Sequence, residues 1–284
     1  MMADRVGLGW RGELAASILE RLVAIDVLEV IAEDWTRAPR EEQRALAALG
    51  RERPLLLHGV AMGLASCHRV DPRRLDDMAR LVEVVRPELW SEHLAFVRAG
   101  GVEIGHLAAP PRTAASVDGT LENLRRAARV VGALPLLENI ATLVDPPAST
   151  LDEPAWTRAI VAGSGSPMLL DLHNLYANAV NFGHDPMAML RAMPLESVRL
   201  VHLSGGRWLT PHGVAPRLLD DHLNDVPDPV YGLLAALAAR AQGELTVILE
   251  RDGNYPAIGH LVAQLDRARR ALAEGRARAL GRAA

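Results

Sequence analysis

Three histidines and three carboxylates recur near the ends of short apolar runs, and that mixture of donors is the chemistry of a metal centre. His58 lies in PLLLHGV (54–60), His93 in LWSEHLA (89–95) and Glu138 in LPLLENI (134–140). Asp171 lies in PMLLDLHN (167–174), His202 in VRLVHLS (198–204) and Glu250 in LTVILERD (245–252). Glu29, Glu33, Glu92, Asn139, His173, Asn174 and Asp252 stand in or beside similar runs. Imidazole nitrogen with carboxylate and amide oxygen is a ligand set for iron, manganese or zinc. So many ionisable groups cannot be desolvated together as bare charges, because each would cost several kcal/mol. A bound cation cluster is the simplest compensation. Singly, each residue has a plainer reading: His58 bonded to a loop carbonyl, Glu138 paired with an arginine, Asp171 capping a helix. The joint occurrence favours metal. Asp220 and His222 sit in a long connection after the seventh run and count only if the fold carries that loop over the others.

The elements that must position these groups are legible in the apolar pattern. Together with VGLGW (6–10) and VLEVIAE (27–33), the runs make eight candidate strands. Helix-like stretches lie between them, near 13–24, 40–49, 73–86, 114–132, 154–163, 186–193, 229–242 and 257–278. Near-continuous apolar strands alternating with helices imply a parallel sheet buried on both faces. Eight such units predict a closed (β/α)8 barrel, which typically needs about 250 residues. Closure would gather the strand ends into one ring about 10–15 Å across, on the face where barrel active sites are built. A doubly wound open sheet is the alternative, but GLGWRG (7–12) lacks the GxGxxG spacing of its usual first turn. Asp71-Pro72, Asp152 with Pro154, Asp185-Pro186 and Asp228-Pro229 are expected to start helices, and GSGS (163–166) to end one. The expected organisation is a barrel core over 1–256, then a last helix and an Ala/Arg-rich tail over 257–284.

Composition narrows the function. The chain has 284 residues, is 49% apolar and 23% charged, and carries a formal charge of −4, an ordinary globular balance. A net negative charge gives no footprint for nucleic acid. One cysteine, Cys67, forms no internal disulfide and reads as a packed thiol; it fits a reducing compartment. The N-terminal MMADRVGLGW has no apolar h-region, and no run reaches the roughly 18 residues of a membrane helix. A cytoplasmic protein without nucleic-acid or membrane partners is expected. Walker and Cys-x-x-Cys motifs are missing, GSGS does not have nucleophile-elbow spacing, and Gly205-Gly206 alone is weak evidence for phosphate. His68, His106, His184, His212 and His260 read as surface or loop residues. Trp35, Trp90 and Trp156 read as packing anchors, and Trp208 as a loop residue able to touch substrate.

In order and spacing, HGV (58–60), SEHL (91–94), LLENI (136–140), LLDLHNLY (169–176), VHLSG (201–205), DDHLNDVPDPVY (220–231) and LERDGNYP (249–256) resemble the multinuclear non-haem iron-dependent oxidative enzymes. That family includes the iron enzyme of methanobactin biosynthesis, and its members modify ribosomally made peptides. The match covers about residues 6–256. The resemblance implies a xylose-isomerase-like barrel with two or three irons of mixed Fe(II)/Fe(III) state, and O2 as co-substrate. His58, His93, Glu138, Asp171, Asn174, His202, Asp220, His222 and Glu250 would be the ligands, with Glu138, His93 and Asp171 at the catalytic core. Glu33, His173, Trp208, Asp252 and Asn254 would contact substrate. Three departures bear on the substrate: His173 replaces a usual Asn, Arg251 replaces a usual Trp, and EVIAEDW (29–35) only loosely matches the usual EVHPENY.

The chemistry implied is hydrogen abstraction by an iron–superoxo species from a metal-bound precursor peptide, at Cys or at Asp/Asn. A separate leader-peptide-binding protein is expected to deliver that peptide, since these 284 residues leave no room for such a domain. The competing readings are a divalent-metal isomerase or endonuclease of the same superfamily, and a non-catalytic peptide-binding barrel. The charge disfavours the endonuclease, and the complete absence of lysine disfavours the isomerase, which would use one as acid/base.

Overall fold

The structure is a computed structural model, describing residues 3–99, 101–210, 213 and 215–283. The strands are β1 Arg5–Gly9, β2 Leu28–Ile31, β3 Leu55–Gly59, β4 Leu89–His93, β5 Phe96–Ala99, β6 Val102–Ala108, β7 Leu136–Glu138, β8 Met168–Asp171, β9 Val198–Leu203, β10 Arg207–Leu209, β11 Arg217–Leu219 and β12 Thr246–Leu249. The helices are α1 Ala15–Glu20, α2 Glu33–Thr36, α3 Arg40–Glu52, α4 Pro72–Val85, α5 Ala114–Val131, α6 Glu153–Ser164, α7 Leu172–Phe182, α8 Pro186–Ala192, α9 Asp228–Ala238 and α10 Ile258–Ala283. Eight strands follow the order β1-β12-β9-β8-β7-β4-β3-β2 in a closed barrel. The expected barrel is therefore the fold. Two small antiparallel hairpins, β5–β6 and β10–β11, are additions that the apolar pattern did not announce.

The chain divides into two compact units, one of Glu29–Ile140 and Val144–Met168, the other of Met1–Leu28, Ala141–Leu143 and Leu169–Ala284. In the first unit, β3, β4 and β7 pair in parallel, with His58 opposite Ser91, Gly59 opposite Glu92 and His93 opposite Glu138. Leu55, Leu56, Leu57, Leu136 and Leu137 are almost fully buried, as a sheet covered on both faces requires. Helix α5 begins with a capping box between Thr113 and Ser116, worth about 1 kcal/mol. The Trp156 indole N–H donates to the Ser116 hydroxyl, tying α6 to that cap. Trp90 is likewise buried and donates to the Ala133 carbonyl. Both are the packing anchors expected; Trp35 is half-buried.

In the second unit, β12 pairs in parallel with both β1 and β9. Its last helix packs closely on α9: a Cβ at Gly275 would stand 2.2 Å from the Ala235 carbonyl oxygen. Two arginines of α10 tie the helix to the rest of this unit. Arg276 donates to both Asp4 carboxylate oxygens and to the carbonyls of Ala238, Ala241 and Gly243. Arg269 reaches the Ala24 carbonyl and Asp26. Beyond Arg276 the helix is mostly exposed, as at Leu280.

Helix starts follow the expected chemistry at three places. Asp71, Asp152 and Asp185 each accept a backbone N–H as N-cap, with proline in the first turn. Asp228 differs: Pro227 is the cap residue, and the Asp228 carboxylate instead pairs with Arg267. Gly165 ends α6 at φ +73°, in the left-handed region a glycine tolerates. Cys67 also departs from expectation. It is exposed in the loop after β3, where its thiol donates to the Ala115 carbonyl. Among the described residues, no helix is long and apolar enough to cross a membrane.

Candidate metal centre

In the first unit, His58, His93 and Glu138 are buried at the C-terminal ends of β3, β4 and β7. Strand register explains their meeting, because His93 and Glu138 are direct neighbours across the β4–β7 ladder. Both imidazoles aim Nε2 at one carboxylate oxygen, Glu138 Oε2, at 3.3 Å from His58 and 3.1 Å from His93. The far sides of the rings are occupied. His93 Nδ1–H donates to the Gly59 carbonyl at 3.2 Å, and His58 Nδ1 lies 2.8 Å from the Ser91 hydroxyl. In neutral His93 that bond leaves a lone pair on Nε2, directed at a carboxylate. Two acceptors face each other across 3.1 Å, an arrangement that calls for a cation or a proton between them. Donors about 3 Å apart are also what bonds of about 2.1 Å to one first-row ion produce. These residues fit a metal.

The loop after β3 is held around this cluster by polar groups. Glu33 accepts from the N–H groups of Val60 and Ala61, and Glu92 from those of Met62 and His93. Arg98 donates to the carbonyls of Ala61 and Met62. Asn123 donates to Leu64, Ser66 and His68 carbonyls and accepts from Val70 N–H. Gly59 leaves room for the Glu92 carboxylate, since a Cβ would stand 2.6 Å from Glu92 Oε2 and 3.2 Å from the Ser91 carbonyl oxygen. Burial, reinforced by the Glu92 charge, pushes the Glu33 carboxyl up to about 7 against the opposing backbone N–H bonds.

In the second unit, Asp171, His202 and Glu250 are buried, and each offers a ligand atom within 4.8 Å of the others. His202 Nδ1 is 3.1 Å from Glu250 Oε2. Asp171 ends β8 and also caps α7, accepting from Asn174 N–H at 2.7 Å. The capping reading of Asp171 and its candidacy as ligand therefore hold at once, since a carboxylate has two oxygens. The expected strand over 167–174 stops at Asp171, so His173 and Asn174 lie in the first turn of a helix. Both are buried there.

Asp220 and His222 come from the loop after β11. Asp220 Oδ2 is 3.0 Å from His222 Nε2, and His222 Nδ1 is 2.9 Å from Asp252 Oδ2 and 3.7 Å from Glu250 Oε2. The loop therefore lies beside Glu250 and Asp252, just beyond β12. Arg11 donates to Asp252 Oδ1 at 2.7 Å. Burial works against charge at both groups, yet the His222 charge and hydrogen bonds from both histidines hold Asp220 well below the usual carboxylate range. In the same way the Glu250 and Asp220 charges raise His222 well above the usual imidazole value, against burial.

The remaining candidates are placed differently. Asn254 and Trp208 are exposed, Asp252 is on the surface, and Glu33 is half-buried. Gly205-Gly206 has a steric reason: Cβ atoms there would stand 2.2 Å from the Asp225 carbonyl and 2.0 Å from that of Leu219. His260 pairs with Asp225 on the surface, His68, His106 and His184 are exposed, and His212 lies outside the described residues. Ser91, Ser204 and Arg11 went unnoticed in the sequence. Ser204 had a signal in its place between His202 and Gly205; Arg11, 241 positions from Asp252, had none.

Fold and buried donors together define a xylose isomerase-like (β/α)8 barrel whose strand ends carry residues suited to metal. Among solved structures it is similar to an L-ribulose 3-epimerase (14% identity, TM-score 0.62, covering 100% of this chain and 99% of that one). It is also similar to a xylose isomerase domain containing protein from Salmonella typhimurium (16% identity, TM-score 0.60, 96% and 100% covered). At such identities the likeness is one of fold. Among sequences, a UPF0276 protein of Streptomyces avermitilis is 36% identical over 96% of this chain. The chain spans 56% of that relative's length. UPF0276 proteins of Paraburkholderia phytofirmans and Bordetella bronchiseptica are 35% and 33% identical, with 95% of this chain and 87% and 93% of theirs covered. Residues 5–273 match the family described as RiPP precursor modification enzyme MbnB/TglH/ChrH, and the chain belongs to that family.

Proposed function

We propose that this protein is an iron- and O2-dependent enzyme that oxidatively modifies a ribosomally synthesised precursor peptide, at Cys or at Asp/Asn. The observation that carries the reading is the buried convergence of His58 and His93 on one Glu138 oxygen in a chain of this family. His58, His93, Glu138, Asp171, Asn174, His202, Asp220, His222 and Glu250 would hold two or three irons. When bound, iron in mixed Fe(II)/Fe(III) state would supply dioxygen activation and an anchor for the peptide side chain.

The chain's own groups do the rest. Gly59 and Ser91 set the two imidazoles, so that Nε2 of each faces Glu138. Burial of these donors excludes water from the reacting region. Glu33, with its carboxyl near neutrality, can hold or release a proton at working pH. Trp208 and Asn254, both exposed, are assigned to peptide contact, with Asp252 beside them. The reading further assigns leader-peptide capture to a separate protein and the reaction to the cytoplasm.

The test is elemental analysis with Mössbauer spectroscopy on protein purified without oxygen, followed by mass spectrometry of a precursor peptide encoded beside it. Iron lost in His93→Ala or Glu138→Ala, with an oxygen-dependent mass change in the peptide, supports the assignment. Stoichiometric zinc or manganese from iron-replete preparations would instead favour an isomerase or hydrolase, and a folded metal-free protein would overturn both.

A further inference from the structure

We infer that His173 is a positioning residue that sets the Asp220 carboxylate, and through it His222, for metal binding; this rests on the proposed ligand role of that pair. His173 occupies the first turn of α7 and is fully buried. Its Nδ1 lies 2.8 Å from Asp220 Oδ1, the oxygen that also accepts from the buried Ser204 hydroxyl at 3.2 Å. The other oxygen, Oδ2, is left to face His222 Nε2. Acting as donor from Nδ1, the ring therefore determines which Asp220 oxygen remains available.

The loop needs such a fixture. Residues 220–227 form neither helix nor strand; α10 grips the far end of the loop through Gln264 and His260, while nearer Asp220 the residue His222 holds φ +54°, a left-handed conformation that a side-chain-bearing residue keeps only when its surroundings impose it. Among the described residues, side chains hold the Asp220 carboxylate: His173 and Ser204 at Oδ1 and His222 at Oδ2. Space for the ring comes from Gly206, where a Cβ would lie 2.7 Å from His173 Cε1. Complete burial separates this role from substrate contact, the one first suggested by its place in LLDLHNLY.

Asparagine and glutamine distinguish the roles of the two ring nitrogens. An Asn amide nitrogen sits where Nδ1 does and can donate to Asp220; a Gln amide nitrogen reaches the Nε2 position and cannot. Metal-free protein would be titrated anaerobically with Co(II) by calorimetry and d–d absorption, with circular dichroism as the folding control. His173→Asn should bind with wild-type affinity at every site, whereas His173→Gln should weaken one Co(II) site by about 10–100-fold, the cost of losing a supporting group. Ser204→Ala, which removes the longer bond to the same oxygen, should weaken that site less. Equal affinities in His173→Asn and His173→Gln would overturn the inference. Asp220→Ala keeps the two claims apart. If it leaves cobalt binding intact, the ligand assignment fails; if it removes a site that His173→Gln leaves unchanged, only the positioning role fails.

Discussion

The two donor groups are built by opposite means. His58, His93 and Glu138 stand on strands, and the β3–β4–β7 register sets their spacing before any side chain chooses a rotamer. Asp220 and His222 stand on a loop, and side-chain hydrogen bonds, one backbone bond from Asp252 N–H to the His222 carbonyl and one left-handed residue set theirs. A strand-borne donor is thus protected by the whole ladder. A loop-borne donor depends on a few named contacts, and there geometry is expected to be lost more readily than the fold.

The largest effect expected is from Glu138→Ala, which removes the oxygen on which both histidines converge. Peptide oxidation should fall by more than the roughly 100-fold that loss of a supporting group costs, with metal missing from the first cluster and the fold intact by circular dichroism. Next is Gly206→Ala, whose Cβ would enter the space of the Leu219 carbonyl and of His173. Overpacking of this kind costs about 1–3 kcal/mol, so Tm should drop by several degrees. Cobalt should be lost from the Asp220–His222 site and kept by the strand-borne one; equal loss from both would erase the distinction drawn above.

A smaller effect concerns the loop clamp around the strand-borne cluster. The Glu33 carboxyl is raised to about 7 from 4.5, so between these values the folded state binds more protons than the unfolded state. Its contribution to stability is therefore present at low pH and declines as pH rises from about 4.5 to about 7. Glu33→Gln should flatten that decline in denaturant titrations of metal-free protein, and an unchanged slope would remove Glu33 from the account. Smallest of all, Trp208→Ala at a 53% exposed position should move stability by no more than about 0.5 kcal/mol and leave metal content alone, while raising KM for the peptide.

The same contrast explains what the sequence revealed. Strand-borne donors were legible because a polar residue near the end of an apolar run is conspicuous and a barrel gathers run ends. Loop-borne donors were visible as residues, but their arrangement depends on Ser204 and Gly206, which carry no periodicity. Helix α7 was missed because LLDLHNLY continues an apolar run; the signal against a strand was Asp171 itself, a strong N-cap residue. The β5–β6 hairpin has no apolar run to announce it; its one signal is Gly101, at φ +80°, just before β6. The residue type of Cys67 implies a packed thiol, whereas the loop after β3 is held by its backbone and leaves that side chain outside.

The arginine clasp of α10 has a consequence in time. Asp4, just before β1, is bound by Arg276, and β1 itself pairs with β12. During synthesis β1 therefore emerges long before either partner exists, and its β12 edge stays open while the intervening residues are made. Completion of this unit follows the synthesis of α10, which closes over a segment made 272 residues before Arg276.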